Sequence, residues 1–187
     1  MAKRKSKKGS LDIILAIVVI GLAIVTVCTL FMPIFTSKST SAVLGSTSTS
    51  HIKGIDAITA AFNSKTSGDL SNGANALIAL KNSEESGAVT GIFCWTYLLT
   101  VVVSVVILAL AVLRICGLKL KLVDLIVGLA TVVFALVTFI LGFVVASKFG
   151  SVNLGTLMTG NTVASVANYF MLLAIACGCT NLYLASK

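Results

Sequence analysis

Four long apolar stretches joined by polar connections predict an all-α integral membrane protein: a four-helix transmembrane bundle with a long, partly helical extracytoplasmic loop. Two further observations point the same way. Of 187 residues, 57% are hydrophobic and 11% charged, whereas a soluble domain carries about 25% charged residues. The chain therefore holds less than half the charge that usually covers a water-facing surface. It also has a single proline, which favours long, uninterrupted helices.

Residues 1–10 (MAKRKSKKGS) are basic and lack apolar periodicity, and are expected to form a cytoplasmic tail. The first span is 11–35. A hydrocarbon core about 30 Å thick takes roughly 20 helical residues, so this stretch crosses with some tilt. Ser10 suits its N-cap, Asp12 complements the helix dipole, and Pro33 should kink the last turn. Its apolar run exceeds the 7–15 residues of a signal-peptide core, so a membrane anchor is expected rather than a cleaved leader.

Residues 36–88 form the extracytoplasmic loop, rich in Ser, Thr, Asn and Gly. Its first part (STSAVLGSTSTS) reads as irregular. Ile52, Ile55, Ile58 and Phe62, and then Leu70, Ala74, Leu77, Ile78 and Lys81, recur at helical spacing and predict two short amphipathic helices, with Asp69 and Ser71 as caps of the second. Each needs a surface to cover: the bundle end, the other helix, or the lipid headgroup layer.

The second span is 89–115, the cytoplasmic turn 116–119, the third span 120–147, a short outer loop 148–160, the fourth span 161–185, and the cytoplasmic C-terminus 186–187. Trp95, Tyr97 and Tyr183 are candidate interface anchors, because amphipathic rings favour the membrane–water boundary. The short turn makes spans two and three antiparallel neighbours.

The net charge is +8. Lys3, Arg4, Lys5, Lys7, Lys8, Arg114, Lys119, Lys121 and Lys187 fall at one side of the membrane; Lys38, Lys53, Lys65, Lys81 and Lys148 fall at the other, among four acids. The positive-inside rule then places both termini in the cytoplasm, and the plasma membrane is the expected location. The first eight basic residues are expected to face anionic lipid there. Nucleic-acid binding is not expected, since no aromatic residues interleave with the basic run.

No constellation carries an enzyme mechanism. The chain has one His and six acids, without an arrangement that pairs them. His51 and the Glu84–Glu85 pair read as solvated loop groups, and no cofactor or metal is expected. Cys177 and Cys179 are two apart on a helix and point about 200° from each other, so they cannot share a metal. Cys116, beside Lys119, is a candidate for palmitoylation. Asp12 and Asp124 lie near the cytoplasmic ends of their spans, where capping or pairing with Lys8 or Lys121 suffices, and no ionisable group stands at midplane.

Packing signals are firmer. Gly142-xxx-Ala146 and Ala174-xxx-Gly178 are small-xxx-small pairs that let helices approach closely. Thr138, Thr162, Ser165 and Asn168 add groups able to bond across helices. Asn168, beside Tyr169 and about two turns inside the fourth span, is read as an interhelical hydrogen bond or, in a sharper version, as a pore-lining or substrate-contacting amide.

The order of tail, span, loop of about fifty residues, span pair with a tight inner turn, short loop and span resembles the claudin-type tetraspan layout. That family's outer loop carries Trp and Cys residues on strands; this loop has neither Trp nor Cys. The likeness is one of layout, and no residue roles follow from it. The expected function is structural, assembly or partner-binding, through helix packing and the outer loop, with a homo-oligomer or a membrane-protein partner. The alternative is a channel or transport subunit whose pore forms only in an oligomer.

Overall fold

A computed structural model describes residues 2–41, 47–65, 73–118, 120–151 and 158–186. Four of its helices are long and apolar enough to cross a membrane, spanning Leu11–Phe31, Gly87–Ile115, Lys121–Phe149 and Val166–Ser186. The protein is membrane-embedded on that ground. Apolar side chains such as Ile17, Val105, Leu129 and Leu172 face outward along them, as lipid-facing residues do.

The first helix, α1, runs Ala2–Cys28 and ends in a 3-10 turn at Thr29–Phe31. Helical backbone thus reaches back into the basic segment read as a tail, because Lys and Arg are good helix formers and adding a turn needs no new nucleus. The side chains of Lys3, Arg4, Lys5, Lys7 and Lys8 lie outside the described part, as do Lys119, Lys187, Asp69 and Ser71.

The chain leaves the helix earlier than the apolar run does. Pro33 does not kink a helix; it opens a strand, β1, Pro33–Ser41. Met32 before it is extended (φ −89°, ψ 152°), as the proline ring demands of its predecessor. A first strand position also costs proline no ladder bond. Next come β2 (Thr47–Lys53), α2 (Gly54–Phe62), α3 (Gly73–Lys81) and α4 (Gly87–Ile115). The helix α5 (Lys121–Ser151) is followed by β3 (Met158–Ala164), a single turn α6 (Val166–Tyr169) and α7 (Met171–Ser186).

The three strands form one antiparallel sheet in the order β2-β1-β3. The fold is therefore not all-α. The long loop begins with strands where irregular chain was expected, and the fourth span starts at Val166 because residues 161–164 belong to β3. Alternating Ser and Thr carry no strong period of their own; β-branched Thr favours extended backbone once a neighbouring strand is there to pair.

In the bundle, α1 packs on α4 and α7, and α5 packs on the same two, closing a ring of four. One core, with Val19, Ala23, Ile107, Ala111, Cys177 and Leu184, fills the end remote from the sheet. A larger one at the sheet end joins bundle, sheet and short helices through Ile34, Phe35, Leu77, Phe93, Tyr97 and Met171.

Candidate functional site at the sheet end

The sheet end is a cap built from both connections, the long one supplying β1, β2, α2 and α3 and the short one β3. Its central strand is rooted in the core. Phe35 is fully buried, pairs in register with Ile52 and Ala164 on either side, and stacks its ring against Phe93 and Phe149 at 5.4 and 5.8 Å. Ser165 N donates to Ile34 O at 2.7 Å, tying the start of the fourth span to the same strand. Away from that root the strands turn polar: Lys38, Thr49, Ser50 and His51 are exposed, and Thr36 Oγ1 lies 3.3 Å from His51 Nδ1.

The joint between cap and bundle is at Tyr97. Its hydroxyl shares a hydrogen bond with Thr29 Oγ1 at 3.0 Å, and the whole side chain is buried. Tyr97 is therefore a core residue rather than an interface anchor. Two steps along a helix turn a side chain about 200°, so Tyr97 faces inward while Trp95 faces outward, 45% exposed. The N-terminus of α2 sits directly on this joint. A Cβ on Gly54 would overlap the Tyr97 hydroxyl and come within 2.6 Å of Thr29 O, so only glycine lets the backbone approach.

Both ends of α2 are fastened. Lys53 N donates to Asp56 Oδ2 at 2.8 Å, closing the first turn. At the other end Lys81 Nζ, carried on α3, donates to the carbonyls of Ala60, Ala61 and Asn63 at 2.9, 3.2 and 3.2 Å. A cation there satisfies carbonyls that the helix itself leaves open.

The expected packing residues fall into two contacts. Gly142 and Ala146 do not act as one helix-on-helix pair. Gly142 makes room for Asn168, whose amide would overlap a methyl group at position 142, and Asn168 Nδ2 donates to Phe139 O at 3.4 Å. Asn168 lies in the single turn α6, not two turns deep, and Ala146 joins the sheet-end core. Gly178 lies close against α5: a Cβ there would come within 2.8 Å of Gly128 O and 2.7 Å of Val132 Cγ2. Ala174 is fully buried one turn earlier. Tyr183 is half exposed at the remote end of α7.

That remote end holds a polar cluster whose members the sequence paired differently. Arg114, expected at a lipid-facing edge, turns inward and pairs with Asp124 of α5, and the two side chains are 9% and 3% exposed. Asn181 Nδ2 donates to Asp124 O at 2.8 Å, adding α7. The pair bridges the tight turn, where Gly117 takes φ +92°. Lys121 is exposed at the start of α5. Thr100 and Thr138 share a bond at 3.2 Å between α4 and α5 in the interior.

Sequence reasoning missed Gly54, Thr29, Lys81, Phe35 and Gly128. A lysine ending an amphipathic segment, as Lys81 does, signals a C-terminal cap; which helix it caps is a tertiary matter. No family model matches the chain, and no curated protein or solved structure matches it either.

Proposed function

We propose that the protein is a multi-pass membrane scaffold that assembles with copies of itself or with a membrane-protein partner through its sheet-bearing cap. The reading places both termini in the cytoplasm and the cap outside, on the charge asymmetry of the connections. The observation that carries it is the sheet itself. Both connections feed one platform, rooted in the core at Phe35 and flanked by two edge strands, β2 and β3. Each edge has a row of backbone groups facing away from β1, a template for pairing with another chain.

The bundle supports this reading over transport by a single chain. Three of its interior hydroxyls are engaged within the chain: Thr100, Ser104 and Thr131 each donate to the carbonyl four residues back, at 2.7–2.8 Å. The claudin-type likeness is one of loop lengths alone, and with no Trp or Cys in the long loop no barrier role is proposed.

The test is the assembly state in lipid nanodiscs or mild detergent, by native mass spectrometry and cross-linking in intact membranes. Wild type is expected to assemble or to capture a membrane partner. Thr49→Lys with His51→Lys, which charges the β2 edge, is expected to weaken assembly at unchanged helical content. A wild-type chain that stays monomeric and partnerless in its own membrane would refute the scaffold reading. Ion flux through liposomes bearing the oligomer would move the assignment to the channel alternative.

A further inference from the structure

We infer that α2 is an interfacial helix, with its exposed apolar edge seated in the headgroup–acyl boundary of the lipid bilayer. Its two sides differ sharply. Ala57, Ala60 and Ala61 are buried against the cap and α4, whereas Ile55, Thr59 and Phe62, spaced by four and three residues, form one exposed edge. Phe62 is 67% exposed. A nine-residue helix showing Ile and Phe to water would be a poor arrangement unless something apolar lies beside it.

Its position says what that is. The Phe62 ring meets Trp95 edge-on at 5.3 Å, and Trp95 lies in the outward row of α4 with Ile92 and Leu99. The apolar edge of α2 is therefore continuous with the lipid-facing belt of a membrane span. Depth agrees. Counting back from Arg114, roughly the 20 residues that cross a hydrocarbon core end at Trp95. The first two turns of α4 then stand clear of the acyl chains, and α2 flanks the helix at the level of the boundary. The N-terminus of α2 touches Tyr97 and Thr29, close to the end of the Leu11–Phe31 span, where Phe31 is also exposed. Lys53 before the helix and Lys65 after it are exposed, placing cations where lipid phosphates lie. Seated this way, α2 holds the sheet at a fixed height and tilt over the membrane.

Because Trp95 is the only tryptophan, it can be moved. Phe62→Trp and Ile55→Trp are each made with Trp95→Phe in the full chain, alongside Lys38→Trp, also with Trp95→Phe, on the exposed part of the central strand β1 as a water-facing control. The proteins are reconstituted in phosphatidylcholine vesicles with or without lipids brominated near the carbonyl end of the acyl chain. Tryptophan at 62 and at 55 is expected to emit to the blue of the control, with several-fold stronger quenching by bromolipid and several-fold weaker quenching by aqueous iodide. Iodide quenching equal to the control at both positions would put α2 in water and overturn the inference. Protection from both quenchers at both positions would mean a protein neighbour covers the edge, and would overturn it equally. The two positions guard against local disturbance of the Phe62–Trp95 contact by either replacement.

Discussion

Asn168 is fully buried; among the described residues its side-chain nitrogen has a hydrogen-bond partner and its oxygen has none, and that oxygen fills the space a Cβ on Gly142 would need. The contact is steric as much as polar, which sets the outcome of substitution. Gly142→Ala is expected to destabilise the bundle by about 1–3 kcal/mol, the usual cost of over-packing. Adding Asn168→Ala should recover part of that loss, a non-additivity diagnostic of direct contact. Reversible unfolding in mixed micelles, followed by circular dichroism, measures both. The Arg114–Asp124 pair behaves differently because each member is buried with the other. Arg114→Leu leaves an uncompensated carboxylate and should cost about 3–5 kcal/mol, whereas Arg114→Leu with Asp124→Leu should cost markedly less. Equal losses from the single and double variants would mean that the ion pair is incidental.

At the scale of elements, α2 is the piece whose placement depends most on others. Glycine under its first turn, an aspartate closing that turn and a lysine from α3 over its last turn hold it in place besides packing. Lys81→Met keeps the apolar stem and removes the donor. Backbone amides of 54–62 should then exchange with deuterium faster, while those of α4 stay unchanged; a uniform change across the chain would argue against a local cap. Tyr97→Phe removes only the hydroxyl shared with Thr29 and should cost about 0.5–1.5 kcal/mol. The effect should be confined to thermal stability, with assembly retained.

For the whole molecule, the proposed orientation makes its own prediction. Cys116 is exposed at the turn between α4 and α5. A membrane-impermeant maleimide should label it only after the cells are permeabilised, whereas a cysteine placed at Ser50 on the sheet should be labelled in intact cells. Reversed labelling would invert the topology and put the cap in the cytoplasm. The assembly and lipid-seating proposals then share one geometry: a sheet held at a fixed height offers its edges to neighbours in the same membrane.

Hydropathy and length alone revealed the four spans, because lipid accepts only backbone whose hydrogen bonds are satisfied within the segment, and long apolar helices satisfy that locally. The same reasoning singled out Gly178 and Ala174 as small residues one turn apart on a helix face. It read two short loop helices from their period, counting Ile52 into the first although that residue lies in β2. The sheet was illegible, since its Ser- and Thr-rich strands carry no strong period of their own and acquire their identity from partners far away in the chain, 129 residues in the case of Phe35 and Ala164. Tyr97 and Arg114 were misplaced for a related reason. Sequence gave their depth along a helix, but whether an amphipathic ring or a cation turns to lipid or inward depends on what the neighbouring helix offers. Thr29 offers a hydroxyl and Asp124 a carboxylate. What the sequence determined by itself is what each segment can do with its own backbone in lipid; the tertiary structure decided which polar groups meet, because those partners come from distant parts of the chain.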